Sequence, residues 1–237
     1  MNENTRKNLV FVWLTILTIL TCLQFRGNAR LDELTVQRIN ILEPNGNPRM
    51  IISNSARFPG IYMNAKEYRH GGRESGKVAT GGFLYFNDDG DEAGGLITSS
   101  SKEEGNRSAT INFSFDKLEQ DQIMSLNYTE NKNGQSAGLQ VTDQPDGNLN
   151  DLLELSDKLA RAQSEEERTT IKAEMSMISK KTGRFAQRFF AGKFNGDSVV
   201  ELKDRKGKTR LLLKVDKETG TPSIEFLAPD GKVTKRL

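Results

Sequence analysis

Hydrophobic and polar positions fall into three regimes along the chain. Residues 8–25, NLVFVWLTILTILTCLQF, run from Asn8 to Phe25 without a charge, bounded by Arg6 and Lys7 before and Arg26 after. Residues 35–147, and again those from 184 onward, carry short apolar runs separated by turn residues, some of them alternating apolar with polar positions. Ala109, Ile111, Phe113 and Phe115 alternate with Thr110, Asn112 and Ser114, which predicts a strand with one wet face. Between these blocks the period changes. Leu152, Leu155, Leu159 and Ala162 form a helical stripe, and Ile171, Met175 and Ile178 form a second one. Ser164 followed by Glu167 is a capping-box pattern that starts the second helix, and Gly183 closes it.

These short apolar runs, bounded by turn signals, predict strands at 36–42, 50–53, 83–87, 94–98, 109–115, 123–129 and 137–142, then at 184–194, 199–203, 209–215, 222–227 and 232–236. Turn chemistry separates them. Glu43-Pro44-Asn45-Gly46-Asn47-Pro48 joins the first two strands, because proline fixes φ while Asn and Gly tolerate a positive one. The same punctuation recurs: residues 39–46, INILEPNG, match residues 224–231, IEFLAPDG, in their apolar positions, proline and glycine. Gly46, Arg49 and Met50-Ile51-Ile52 match Gly207, Arg210 and Leu211-Leu212-Leu213. The chain therefore repeats a hairpin. The turn glycines at 46, 90, 147, 207 and 231 are unevenly spaced, which argues against a propeller or solenoid and for an irregular arrangement. The fold class expected is mainly β, antiparallel hairpins in a meander or sandwich, with a helical insertion and one N-terminal transmembrane helix. Residues 1–7 are a tail, 8–25 an anchor, 26–34 a stalk, and 35–237 a single mostly-β domain with its helical segment at 149–181.

As a helix, the 18 residues of 8–25 span roughly 27 Å, close to the ~30 Å core of a bilayer. Thr15, Thr18 and Thr21 soften the stretch, but threonine hydroxyls bond to helix carbonyls. A buried soluble helix would show a polar face, and this stretch has none. A cleaved signal peptide is the main rival, since Gly27-Asn28-Ala29 offers an A-x-A-like site, although Arg26 sits between the apolar core and that site. A lipoprotein reading of Cys22 is weakened by the bulk of Thr21 before it. The cations on the two sides of the stretch nearly balance, so orientation rests on the short leading tail, which favours export of the C-terminal domain.

Composition adds exclusions. Beyond residue 30 lie 30 basic and 31 acidic side chains, so no basic stripe predicts a nucleic-acid partner. Cys22 is the sole cysteine, which excludes an intramolecular disulfide and a thiolate metal cluster.

Candidate chemistry is sparse. The acidic turn Asn87-Asp88-Asp89-Gly90-Asp91-Glu92 gathers carboxylates, but with Gly90 in the glycine position of an EF-hand loop the first ligand would fall on Tyr85, so a hairpin turn is expected. His70 is the only histidine; a zinc site would need carboxylates for its other ligands, and a triad would have no other base. Ser99-Ser100-Ser101 and Gly71-Gly72-Arg73 lack a phosphate-loop context. Phe185, Phe189, Phe190 and Phe194 form the main aromatic cluster, expected to serve packing. No residue is assigned as catalytic, cofactor-binding or metal-binding.

Residues 35–46 (TVQRINILEPNG), 48–53 (PRMIIS), 86–96 (FNDDGDEAGGL) and 224–233 (IEFLAPDGKV) resemble those of a family of uncharacterised bacterial proteins with an N-terminal hydrophobic segment. The resemblance implies a bacterial envelope setting and carries no activity. The function expected is that of a membrane-anchored, non-catalytic binding or structural protein of the envelope. Membrane lipid is its partner through residues 8–25, and the helical segment 149–181 is a surface for homo-oligomers. The alternative is an enzyme of unrecognised type using His70 or the turn from Asp88 to Glu92.

Overall fold

The computed structural model describes residues 2–24, 31–68, 80–103 and 105–237. These divide into two units, residues 1–36 and 37–237, each described by itself. The first unit contains helix α1, Glu3–Gln24. Its apolar side chains are exposed on every side, as at Phe11 (74%) and Trp13 (63%). Thr15, Thr18 and Thr21 each donate a hydroxyl hydrogen bond to the carbonyl four residues back, on Phe11, Leu14 and Leu17, at 2.9, 2.8 and 2.7 Å. Among the described residues, no helix is long and apolar enough to cross a membrane. Phe25, the end of the expected anchor, and residues 26–30 of the stalk lie outside the described residues.

The second unit is built on one twelve-stranded antiparallel sheet. Its strands are β1 (Arg38–Leu42), β2 (Pro48–Ser53), β5 (Thr80–Phe86), β6 (Glu92–Glu103), β7 (Asn106–Asp116), β8 (Gln122–Asn131), β9 (Gly134–Asp143), β10 (Ala186–Phe194), β11 (Asp197–Lys203), β12 (Thr209–Val215), β13 (Pro222–Leu227) and β14 (Val233–Arg236). They lie side by side in that order, so the sheet is a meander. The repeated hairpin has a common cause. At Glu43, Asn87, Asp204 and Ala228 a backbone carbonyl accepts from the glycine three residues on, at 2.9, 3.1, 2.9 and 2.9 Å. Those glycines, 46, 90, 207 and 231, all have positive φ, and each turn is followed by a bulge in the register.

Two elements escape the period-two pattern: β3 (Ile61–Met63) and β4 (Lys66–Tyr68), a small separate hairpin. Its turn is Asn64-Ala65, both at positive φ, so the glycine signal for a tight hairpin is missing. Helices α2 (Leu149–Arg161) and α3 (Glu165–Thr182) join β9 to β10. Ser164 accepts from the Glu167 amide at 3.1 Å, and Glu167 accepts in return from the Gln163 amide at 3.0 Å. Gly183 ends α3 at φ 97°.

The core is concentrated at the N-terminal end of the sheet. Ile51, Leu84 and Phe86 pack with Phe58. The β3–β4 hairpin lies over them, with the Tyr62 and Phe86 rings 5.2 Å apart, and Met63 and Tyr68 then receive Leu153 of α2. Leu155, Ala162 and Ile171 close α2 on α3. Of the two helical stripes, Leu155, Ala162 and Ile171 are buried within the chain, and Leu159, Met175 and Ile178 pack against them half-buried.

The other face of the sheet is apolar across its width. Register places Ile39, Ile52, Phe83, Leu96, Phe113, Leu126, Leu139, Ala191, Val200, Leu213 and Ile224 in one row from β1 to β13. A second row beside it runs from Ile41 through Met50, Tyr85, Gly94, Phe115, Met124, Val141, Phe189, Leu202, Leu211 and Phe226 to Lys235.

Candidate functional site

The polar phase of the same strands builds a trough on the hairpin-bearing face. Ile97, Asn112 and Asn127 are register partners, as are Gln140, Phe190, Glu201 and Leu212. All seven side chains line an open trough of about 760 Å³ that crosses β6 to β12. Its size suits an extended ligand of a few rings. The strand alternation that sends Phe113 and Leu126 to the apolar face sends Asn112 and Asn127 here, so one pattern makes both surfaces.

Two glycines let the Phe190 ring, which lines the trough, lie against the neighbouring strand. Gly138 and Gly192 face each other across β9 and β10. The Phe190 ring lies over Gly138, where a β-carbon would sit 2.8 Å from Cε2. Phe190 is consequently buried, whereas Phe194 at the end of the same strand is 55% exposed and lines the trough.

Hydrogen bonds tie the polar lining into a chain. The Gln187 amide nitrogen donates to Gln140 Oε1 at 3.0 Å, and Lys203 Nζ donates to Gln187 Oε1. Lys203 also pairs with Glu201 at 2.9 Å, and Thr209 donates to Glu201 Oε1 at 3.1 Å. Farther along, Lys214 lies 3.5 Å from Asp197. The carboxylates Asp197 and Glu201 therefore face the ammonium groups of Lys214 and Lys203, and the trough is close to neutral. An amide carries two donors and an acceptor, so Asn112, Asn127, Gln140 and Gln187 can each bond a neighbour and still address a ligand.

The acidic turn serves the fold. Asn87 Oδ1 accepts from the amides of Asp89 and Asp91 at 3.0 and 2.9 Å. Asp91, only 3% exposed, accepts from the Asn64 amide at 2.6 Å and from Asn87 Nδ2 at 3.1 Å, which fastens the β3–β4 turn to the β5–β6 turn. Asp88 and Glu43 both pair with Arg49, and the hydrogen bond to Asp88 leads in pushing the Arg49 pKa up. Among the described residues, no group of three or more His, Cys, Asp or Glu side chains is placed to hold a metal ion. His70 and most of the loop around it, residues 69–79, lie outside the described residues.

The phenylalanines expected to cluster are instead dispersed. Phe189 and Phe190 are consecutive strand residues on opposite faces, and Phe185 precedes β10 and is 64% exposed. The residues that sequence reasoning missed are the amides of the trough. Each sits at an ordinary polar strand position, in four different strands, and only register brings them together. Comparison of the chain with protein-family models, with curated proteins and with solved structures finds no match.

Proposed function

We propose that this chain is a non-catalytic binding protein, tethered to a bacterial membrane through residues 8–25, which holds an uncharged, hydroxyl- or amide-bearing chain such as an oligosaccharide in the trough of its sheet. The amide lining carries this reading. Asn112, Asn127, Gln140 and Gln187 present mixed donors and acceptors, the neighbouring charges pair among themselves, and Phe194 offers an apolar surface to the C–H face of a sugar ring. General acid–base catalysis calls for an ionisable group held ready for a proton, and here Glu201 and Asp197 are each engaged by a lysine.

The tether rests on sequence and on side-chain chemistry. The leucines, valines and isoleucines of α1 from Leu9 to Leu20 are exposed, and the hydroxyls of Thr15, Thr18 and Thr21 are internally satisfied, which suits a lipid surrounding. The sheet domain then lies on the extracytoplasmic side, where protease added to spheroplasts cuts it; protection of the domain would reverse that orientation.

Titration of the full chain in zwitterionic detergent with chitotetraose, and with tetragalacturonate as a charged comparison, tests the trough. The neutral oligomer should bind, and Gln140→Leu combined with Gln187→Leu should weaken it about tenfold or more, the scale of one to two hydrogen bonds. Absence of binding, or tighter binding of the anionic oligomer, would overturn the reading.

A further inference from the structure

We infer that the apolar face of the sheet is an interface with a second copy of this chain. The apolar positions of the two rows run from β1 to β13, and nine of these apolar side chains are more than a third exposed, including Ile52, Phe115, Leu126, Leu213 and Phe226. Taking about 170 Å² for a large apolar side chain, these nine expose on the order of 600 Å². The partly buried members of the rows raise this toward the ~800 Å² that each partner contributes to a standard stable interface. The nine alone reach the top of the range for the largest apolar patch of a monomer, about 300–600 Å².

The chemistry of the face selects the occupant. A sheet with one apolar face is stable when another layer covers it, and the β3–β4 hairpin occupies the opposite face. A second copy supplies a layer of the same extent and the same apolar character, and an isologous contact needs only that the surface complement itself. The rows carry a single charge, Lys235 at the β14 edge, which lies 6.0 Å from the ring centre of its own Phe226. A charged partner therefore finds nothing to pair with along the rows. Two such faces pack at about 10 Å with their strands some 30° apart, as in a β-sandwich. Greatest overlap puts the two-fold axis at the middle of the meander, where Leu126 of β8 and Leu139 of β9 are register partners. The ligand trough stays open on the outer side of each copy, so this inference stands or falls independently of the proposed binding function.

The test places the photoreactive residue p-benzoylphenylalanine at Leu126 of the full chain, irradiates membranes from cells producing it, and maps adducts by mass spectrometry. The expected result is a chain–chain adduct joined within residues 124–141 of the second copy. The same probe at Thr110, which lines the trough, should give none. Light scattering of the unsubstituted full chain in detergent should return two copies, and Leu139→Lys or Val200→Lys should each return one while leaving the circular dichroism intact. A single copy for the unsubstituted chain, adducts from Leu126 with lipid alone, or equal chain–chain adducts from Leu126 and Thr110 would overturn the inference.

Discussion

The ring of Phe190 lies across Gly138 of the neighbouring strand, in the space that a β-carbon on Gly138 would occupy. Phe190 is buried there, at 6% exposure. Gly138→Ala forces the ring away, and the new methyl also meets the Ala191 carbonyl oxygen at 2.5 Å. The substitution should cost about 1–3 kcal/mol, the range for overpacking, read from urea unfolding. Adding Phe190→Ala should relieve only part of the strain, because the backbone oxygen remains. An unchanged midpoint for Gly138→Ala would mean that the ring does not sit there.

Asp91 should matter for stability whether or not calcium is present. Asp91→Ala leaves the Asn64 amide and Asn87 Nδ2 without their acceptor, a loss of about 1–3 kcal/mol for buried groups. Thermal unfolding of the unsubstituted chain should give the same midpoint with and without millimolar Ca²⁺. A midpoint that rises with Ca²⁺, and no longer does so in Asp91→Ala, would show that the turn binds the ion.

Two turns contribute to the acid sensitivity expected of the sheet. Asp204 is held below its ordinary 3.8 chiefly by the amides of Lys206 and Lys208, and Asp216 is likewise held below 3.8 by those of Thr219 and Glu218. A depressed carboxylate pKa stabilises the fold fully above the unfolded value and loses that contribution as pH falls through the folded one. Stability should therefore decline below about pH 3.8, and Asp204→Ala with Asp216→Ala should flatten that decline while lowering stability at pH 7. Unfolding curves collected from pH 2 to 7 read this directly, and a decline of unaltered steepness in the double variant would contradict it.

The threonines of α1 make the tether tunable. The full chain should stay with the membrane pellet through alkaline carbonate extraction. Thr15→Leu, Thr18→Leu and Thr21→Leu together should make it more resistant to mild detergent, since each replaces a hydroxyl that must bond Phe11, Leu14 or Leu17 by a purely apolar group. Leu17→Asp should release it. Recovery of the unsubstituted chain in the carbonate supernatant would contradict the tether.

Much of the fold was legible where local chemistry dictates local structure. Gly46, Gly207 and Gly231 announced their turns because a positive φ there strongly favours glycine, and Ser164 with Glu167 announced a helix start because both hydrogen bonds lie within five residues. The β3–β4 hairpin was silent because Asn64-Ala65 reaches positive φ with no glycine, held there by Asp91 from 27 positions away. The trough was silent for a related reason. Asn112 and Gln187 are unremarkable polar residues until register sets their strands in one sheet. Alternation predicts a wet and a dry face for single strands, whereas the continuity of the dry rows from strand to strand depends on bulges that restore the phase after the glycine turns at 46, 90, 207 and 231.

The central claim, that the polar face is a ligand trough lined by amides, is tested most directly by side-chain amide NMR. On adding chitotetraose to the ¹⁵N-labelled full chain in detergent, the amide signals of Asn112, Asn127, Gln140 and Gln187 should shift together with one affinity, while those of Asn45 and Asn47 in the β1–β2 turn stay fixed. Shifts confined to residues outside the trough, or none at saturating oligosaccharide, would contradict the account.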